Sequence, residues 1–199
     1  MPRATLIRPL AIAALSICLV VVVLGAYVRL SAAGLSCPDW PGCYGHISPA
    51  GASPADTGIE VGKAWKEMIH RYLAATLGAL LVLIAALTIQ KKNPRLVSPV
   101  YAWGLVGLVV TQGIFGMLTV TRQLDPAIVT THLLFGLTTL SLLWWLVLTV
   151  GGRRADAWRG STPFVGSSLP RTRQIALLGL VALAVQLALG GWTSSNYAA

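Results

Sequence analysis

Five long stretches of this chain are almost free of charged side chains and are apolar on every helical face. A surface helix of a soluble protein shows a polar stripe at helical spacing, and these stretches lack one. Each can supply the roughly 20 residues that a helix needs to cross a bilayer. The pattern predicts an all-α integral membrane protein with spans at residues 9–28, 72–91, 96–121, 124–152 and 174–199.

Composition excludes a soluble domain. Hydrophobic residues make up 55% of the 199 residues and charged residues only 11%, too few to cover a soluble surface. The first span could also be a signal peptide, because Ser31, Ala32 and Ala33 resemble a cleavage site. Its apolar run is long for a signal peptide, and Arg29 separates it from that site. A retained membrane anchor is therefore favoured.

The basic residues predict how the chain crosses the membrane. If the N-terminus is cytoplasmic, ten basic residues lie inside and five outside, whereas five of the six acidic residues lie outside. This is the positive-inside bias of multi-pass membrane proteins. The net charge of +9 then reflects topology and contact with the lipid bilayer, and no nucleic-acid binding is expected. Nothing before Arg8 is long enough for an organelle transit peptide, so a bacterial inner membrane is predicted.

A long polar segment divides the spans into two units. Residues 1–150 form a four-helix unit, residues 151–173 a cytoplasmic linker, and residues 174–199 the first helix of a second unit. The order Leu-Gly-Ala-Tyr-Val at 24–28 is paralleled by Leu-Gly-Gly-Trp-Thr at 189–193, 165 positions later. This repeat predicts pseudo-symmetric halves. A duplicated chain would continue through a second unit, so we expect this chain to be truncated.

Two of the three histidines stand at the entrances of spans two and four. His70 lies 21 positions before Lys91, and His132 lies 21 positions before Arg153. Because these spans cross in the same direction, the two imidazoles are predicted to face each other at nearly one depth. Opposed imidazoles in an apolar bundle suit a haem iron held by two histidines. The alternative for His132 is an intramembrane histidine hydrogen-bonded to a neighbouring carbonyl, and the alternative for the region around His70 is a solvated helix start. His46 is expected to be a solvated loop residue.

Two charged residues flank His70. Glu67 precedes it by one helical turn and shares its face. The carboxylate could orient the imidazole, carry protons or stabilise positive charge on a substrate; the alternative is a solvated helix start in which Glu67 offsets the helix dipole. The paired histidines favour a functional Glu67. Arg71 could pair with haem propionates or with lipid phosphates, and both remain open.

Two cysteines lie six positions apart in the loop between spans one and two. The intervening Pro38, Pro41 and Gly42 favour a turn that would allow a Cys37–Cys43 disulfide on the oxidising side of the membrane. A structural disulfide is favoured over a redox-active pair, free thiols or a metal site, because the spacing differs from Cys-x-x-Cys.

The glycines of span three predict helix packing. Small residues let helices approach closely in a membrane, and two pairs on opposite faces would suit two neighbours. These are Gly104 and Gly107, then Gly113 and Gly116.

Three motifs together resemble the haem A synthases of the respiratory membrane. They are Gly25-Ala26-Tyr27-Val28-Arg29-Leu30-Ser31, Gly34-Leu35-Ser36-Cys37-Pro38-Asp39-Trp40-Pro41 and Glu67-Met68-Ile69-His70-Arg71. The resemblance implies an eight-helix protein in two pseudo-symmetric halves. Its activity would be conversion of haem O to haem A, by oxidation of a ring methyl to a formyl group through successive hydroxylations.

The resemblance also implies roles for particular residues. His70 and His132 match the histidines that receive the substrate haem, Glu67 the acid needed for turnover, and Cys37 and Cys43 the outer-loop pair. A haem b would lie in the second half, beyond residue 199, so activity of this chain alone is left open. Implied partners are haem O synthase and an electron acceptor, and a homo-oligomer is left open.

Two other functions fit parts of the pattern. A b-type membrane cytochrome for electron transfer would use the same two histidines. An extracytoplasmic thiol–disulfide oxidoreductase would use Cys37 and Cys43 and would not need His70. A purely structural assembly factor would leave the matched histidines unexplained.

Overall fold

The computed structural model describes residues 4–51, 60–89, 97–151 and 169–197. Five long helices are each apolar enough to cross a membrane. In these ranges there is no β-strand, only one isolated bridge between Cys43 and His46. The predicted all-α membrane fold is confirmed. The helices are α1 (Ala4–Leu30), α2 (Val61–Thr88), α3 (Pro99–Thr121), α4 (Pro126–Val150) and α5 (Leu169–Tyr197), with a 3-10 turn at Pro49–Gly51.

Local sequence explains where two of the helices begin. Pro99 and Pro126 occupy first-turn positions, where the missing N–H of proline has no helical partner to lose. Asp125 caps α4 by accepting the N–H of Ala127 at 2.9 Å, which satisfies one of the free donors at a helix start.

The first four helices form a ring. Helix α1 packs against α2 and α4, and α3 packs against the same two helices. Helices α2 and α4 therefore stand diagonally opposite each other, with the bundle interior between them. Helix α5 packs on the outside of α4.

The bundle has a well-packed end and a more open level. The main core joins all four helices. Its buried residues lie at positions 7–18 of α1, 77–85 of α2, 102–105 of α3 and 143–150 of α4. A second cluster joins the 37–43 loop to α2 through Ala64 and Met68. Between them, residues 19–27, 69–76, 106–119 and 131–138 contain no buried side chain.

Helix α5 is tied to the bundle by its C-terminal end. The Arg29 guanidinium donates to the carbonyl oxygens of Ser194 at 3.2 Å and Ser195 at 3.3 Å. A Cβ atom on Gly191 would lie 3.3 Å from Thr130 Cγ2, so this end of α5 touches α4 closely. The rest of α5 is largely exposed from residue 171 to residue 186.

All five helices begin at residues other than the predicted span starts, and the start of α2 differs most. Helix α2 begins eleven residues before the predicted span at 72, so His70 lies inside the helix and not at its entrance. The prediction failed because charged residues there were assigned to the loop. Their charges are compensated locally: Lys63 pairs with Glu60, and Lys66 lies over the Tyr27 ring.

The start of α5 affects the predicted linker. Helix α5 begins at Leu169, so the last residues of the segment 151–173 are helical. Residues 152–168 of that linker lie outside the described residues, as do Lys91 and Arg153, from which the depth of the histidines was predicted.

Candidate functional site

The two histidines lie on the diagonally opposed helices. His70 is on α2 and His132 on α4, and their imidazoles are close enough to interact electrostatically. In each ring, Nδ1 is buried and has no hydrogen-bond partner among the residues that the structure describes. A buried polar atom without a partner is costly, so each of these atoms needs an explanation. Both rings lie at the open level of the bundle.

A glycine faces each imidazole from a neighbouring helix. A Cβ atom on Gly25 of α1 would lie 3.0 Å from His70 Cε1. A Cβ atom on Gly116 of α3 would lie 3.6 Å from His132 Cε1. The absent side chain of Gly25 leaves the room that the His70 ring occupies, because any other residue would force that ring to shift.

The sequence predicted that four glycines of α3 allow close packing against neighbouring helices. In the described part of the chain, Gly104, Gly107 and Gly113 would meet nothing within 4 Å if they carried a Cβ atom. The prediction that they allow close packing against neighbours is therefore wrong for these three. They face space that a side chain could occupy, whereas Gly116 approaches a histidine.

Glu67 lies at the junction of α2 and the outer loop. It is only 4% exposed. Its Oε2 accepts the backbone N–H of Cys37 at 3.0 Å, and its Oε1 is bonded to the Arg71 guanidinium. The carboxylate is one helical turn from His70, as the spacing predicted, but both its oxygens are engaged by the loop and by Arg71.

Arg71 contacts groups of the protein. Its Nη1 donates to the carbonyl oxygens of Asp39 at 2.9 Å, Pro41 at 3.3 Å and Gly42 at 2.6 Å. The Cys37–Cys43 disulfide is formed, and both cysteines are 0% exposed. In this structure the two sulfur atoms are bonded to each other, so neither is a free thiol.

Asp39 stabilises the far side of the same loop. Its carboxylate accepts the N–H groups of Tyr44 at 2.6 Å and Gly45 at 2.8 Å, two residues with positive φ. Burial acts to raise the pKa of Asp39, but these hydrogen bonds and the Arg71 charge outweigh it, so the pKa lies below its usual range.

The ligand set restricts what the site could hold. Within the described ranges, no group of three or more His, Cys, Asp or Glu side chains could bind a metal ion. A structural zinc site takes four protein ligands, whereas a haem iron needs only one or two because the porphyrin supplies the others. A diagonal pair of imidazoles fits the second case.

Several site residues were not predicted from the sequence. Gln112 donates to the His132 carbonyl at 3.0 Å, and an amide in an apolar span was the available signal. Asp39 was identified only as part of a motif. The contact between Gly25 and His70 joins residues of two helices, and a single sequence carries no signal for that pairing. His46 is exposed, as expected, and only its backbone bonds to Cys43.

Comparisons with known proteins identify relatives of this chain. Over 190 residues the chain is 44% identical to a protein named "Heme A synthase" from Shewanella oneidensis, covering 91% of this chain and 54% of the relative. It is 34% identical over 118 residues to a "Heme A synthase" from Oceanobacillus iheyensis, covering 58% of this chain and 35% of that protein. The chain thus spans about half the length of the curated relatives it matches. No solved structure matches it significantly.

The family assignment rests on a match over nearly the whole sequence. The profile of the COX15-CtaA family, described as a cytochrome oxidase assembly protein, matches residues 8–199. The chain therefore belongs to the COX15-CtaA family of multi-pass membrane proteins.

Proposed function

We propose that this chain contains the haem-receiving half of a haem A synthase, an oxidoreductase that converts haem O to haem A. In this proposal His70 and His132 bind the iron of the substrate haem from opposite sides. The observation that carries it is the diagonal pair of imidazoles whose buried Nδ1 atoms lack partners. The relatives named "Heme A synthase" supply the reaction class.

The packing of the bundle supports a flat ligand at this level. The main core stops below the histidines and the loop cluster begins above them, while the intervening side chains stay only partly buried. Well-packed proteins fill their interiors at crystal-like density. A level without buried side chains, between helices that carry opposed imidazoles, is where a porphyrin would fit.

Glu67 is the proposed catalytic carboxylate. The ring methyl of the substrate haem would be oxidised to a formyl group by successive hydroxylations, each of which takes an oxygen atom from water, releases protons and passes an electron pair to an external acceptor. Because His70 and His132 would both hold the iron in this proposal, we assign no oxygen binding to the metal. Glu67, buried and one turn from His70, is placed to accept a proton or to stabilise positive charge in the substrate.

The proposal includes a second half that resembles the first. Arg29 and Ser194 are joined by a hydrogen bond and lie 165 positions apart, which is the offset of the repeated motif. Contact between equivalent positions is expected where a twofold axis passes between two related units. In this arrangement residues 1–150 form the haem-receiving half, residues 151–173 the linker and residues 174–199 the first helix of a half that holds haem b.

Location and partners follow from the same proposal. The chain would lie in a bacterial inner membrane with a cytoplasmic N-terminus, so that the loop and Glu67 face outward. An external acceptor would take the electrons, and haem O synthase would supply the substrate. A dedicated thiol–disulfide oxidoreductase is less well supported, because the reactive sulfur of such enzymes is partly accessible and both cysteines are fully buried.

Spectra of histidine variants test the haem site. Purified from cells that make haem O, the chain should show a low-spin haem spectrum, which His70→Ala and His132→Ala should abolish. His46→Ala is the matched control, because His46 is an exposed loop residue. Haem binding that survives replacement of both bundle histidines would contradict the proposal.

The reaction itself requires the complete protein with both halves. Glu67→Gln should retain haem, while the reduced pyridine spectrum of the extracted pigment should lose the signal of the formyl group. Unchanged formation of haem A would rule out the role of Glu67. A wild-type protein that binds haem and never forms the formyl product would instead indicate a b-type electron-transfer cytochrome.

A further inference from the structure

We propose that Arg71 is a positioning residue, which holds the Glu67 carboxylate and the disulfide loop at 37–43 as one unit. The inference rests on the proposed role of Glu67. It differs from the expectation that Arg71 binds the haem, because it assigns the guanidinium to acceptors of the protein and gives it no contact with substrate.

The guanidinium is divided between the loop and the carboxylate. Its Nη1 donates to three loop carbonyls, those of Asp39, Pro41 and Gly42, while its Nη2 is bonded to Glu67 Oε1. A planar fork of donors can make such contacts simultaneously, which the single ammonium of lysine cannot reproduce. The contacts cross 29 to 32 positions of sequence, so they fix the loop to α2.

The other oxygen of Glu67 is also tied to the loop. Glu67 Oε2 accepts the N–H of Cys37, which is the first residue of the disulfide. One oxygen therefore contacts the loop directly and the other contacts it through Arg71. The orientation of the carboxylate depends on the position of the loop, and the loop depends on the same pair of side chains.

The environment makes these contacts stronger than an ordinary ion pair. The side chains of Arg71 and Glu67 are only 13% and 5% exposed, whereas a solvent-exposed pair contributes little. Removing one member of a buried pair leaves the other charge uncompensated, and the surrounding structure must then rearrange. Loss of Arg71 should therefore move Glu67 and release the loop together.

The rate of disulfide reduction reports on this unit without any need for turnover. Treat the full chain with a water-soluble phosphine and follow reduction of Cys37–Cys43, which is fully buried in the docked loop. We expect Arg71→Gln to speed reduction by roughly tenfold or more. Lys63→Gln is the control, because it removes a charge from the same helix but from an exposed pair with Glu60, and it should leave the rate unchanged.

A double-mutant cycle tests whether the two side chains act together. Glu67→Gln alone should also speed reduction of the disulfide. In the double variant, the acceleration should be smaller than the product of the two single accelerations. Multiplicative effects, or an Arg71→Gln rate equal to that of Lys63→Gln, would overturn the proposal. If Arg71→Gln does not accumulate, Arg71→Lys replaces it, since it keeps the charge beside Glu67 and loses the fork.

Haem titration and turnover of the complete protein separate positioning from binding. A positioning role predicts that Arg71→Gln keeps its haem affinity within about twofold while the turnover number falls by roughly 10- to 100-fold. A fall in haem affinity with unchanged turnover would instead assign Arg71 to the propionates and overturn the inference. Should the wild type fail to bind haem, the proposed function fails, and the reduction cycle still decides the positioning role.

Discussion

Because Gly25 has no side chain and lies against the His70 imidazole, replacing it with alanine should weaken haem binding by an amount that can be estimated. In Gly25→Ala the new Cβ atom would lie 3.0 Å from His70 Cε1. Carbon atoms in contact prefer about 3.5–4.0 Å, so the imidazole must move by roughly 0.5 Å or the helices must separate. The ring can tilt away when no ligand is bound. When His70 must hold a ligand in a fixed direction, that relief is lost and the penalty falls on binding.

The expected size follows from overpacking. Extra atoms in a packed site cost about 1–3 kcal/mol. At about 1.4 kcal/mol for each factor of ten, the affinity for haem should fall roughly 5- to 150-fold. The measurement is a titration of the purified apoprotein with haem, followed by the absorbance of the bound form.

The chain provides a graded set of controls. Gly104→Ala places a Cβ atom where no described residue lies within 4 Å, and Gly116→Ala places one at an ordinary 3.6 Å from His132 Cε1. All three substitutions gain the helix propensity of alanine, about 0.5–1 kcal/mol, so this contribution cancels between them. Affinity should fall for Gly25→Ala and change little for the other two. Equal affinity in all three variants would refute the argument.

Three further predictions address the loop and the helix contacts. Arg29→Gln should loosen the last turn of α5, because the guanidinium stabilises that helix C-terminus by about 0.3–1 kcal/mol. Hydrogen exchange at residues 192–196 should therefore become faster. Arg171→Gln, at the other end of α5, should leave this exchange unchanged. Gln112→Leu should lower the thermal stability by about 0.6 kcal/mol, the average for an interhelical hydrogen bond in a membrane, and an unchanged melting temperature would contradict the contact with the His132 carbonyl. The pKa of Asp39 is depressed in the folded protein, so its carboxylate stabilises the loop above the usual aspartate pKa and loses that effect as the pH falls through the folded value. Phosphine reduction of the disulfide should therefore speed up in acid more in the wild type than in Asp39→Asn. Parallel pH profiles of the two proteins would argue against this role.

The sequence predicted the class of fold because its clearest signal is the length of its charge-poor stretches. Five charge-poor stretches can satisfy their backbone in a bilayer only as helices, and all five are helical. The start of α2 was placed too late because charge was taken as a sign of loop. Charged groups enter this helix since each is compensated: Glu67 by Arg71 and Lys66 by the Tyr27 ring.

The candidate site was predictable in its residue types and not in its contacts. Spacing and a motif identified His70, His132, Glu67 and the two cysteines. The partners of Arg71 could not be predicted, because three of them are backbone carbonyls, which every residue carries. The disulfide was predicted from turn-forming residues between the cysteines. Its docking on Ala64 and Met68 depends on the extended start of α2, which the apolar pattern did not show.

That early start of α2 links the outer loop to the centre of the bundle. Ala64, Glu67, His70 and Arg71 occupy two consecutive turns of one helix, and a helix transmits displacement because its residues move together. A loop that is docked on the first of these residues and bonded to Glu67 and Arg71 therefore shares a rigid body with the His70 imidazole. His132 approaches from the opposite helix and has no such connection to the loop within the described residues. Displacing the loop should consequently disturb the His70 side of a bound haem more than the His132 side. Reduction of the disulfide should then change the spectroscopic signal of the His70–iron bond more than that of the His132–iron bond.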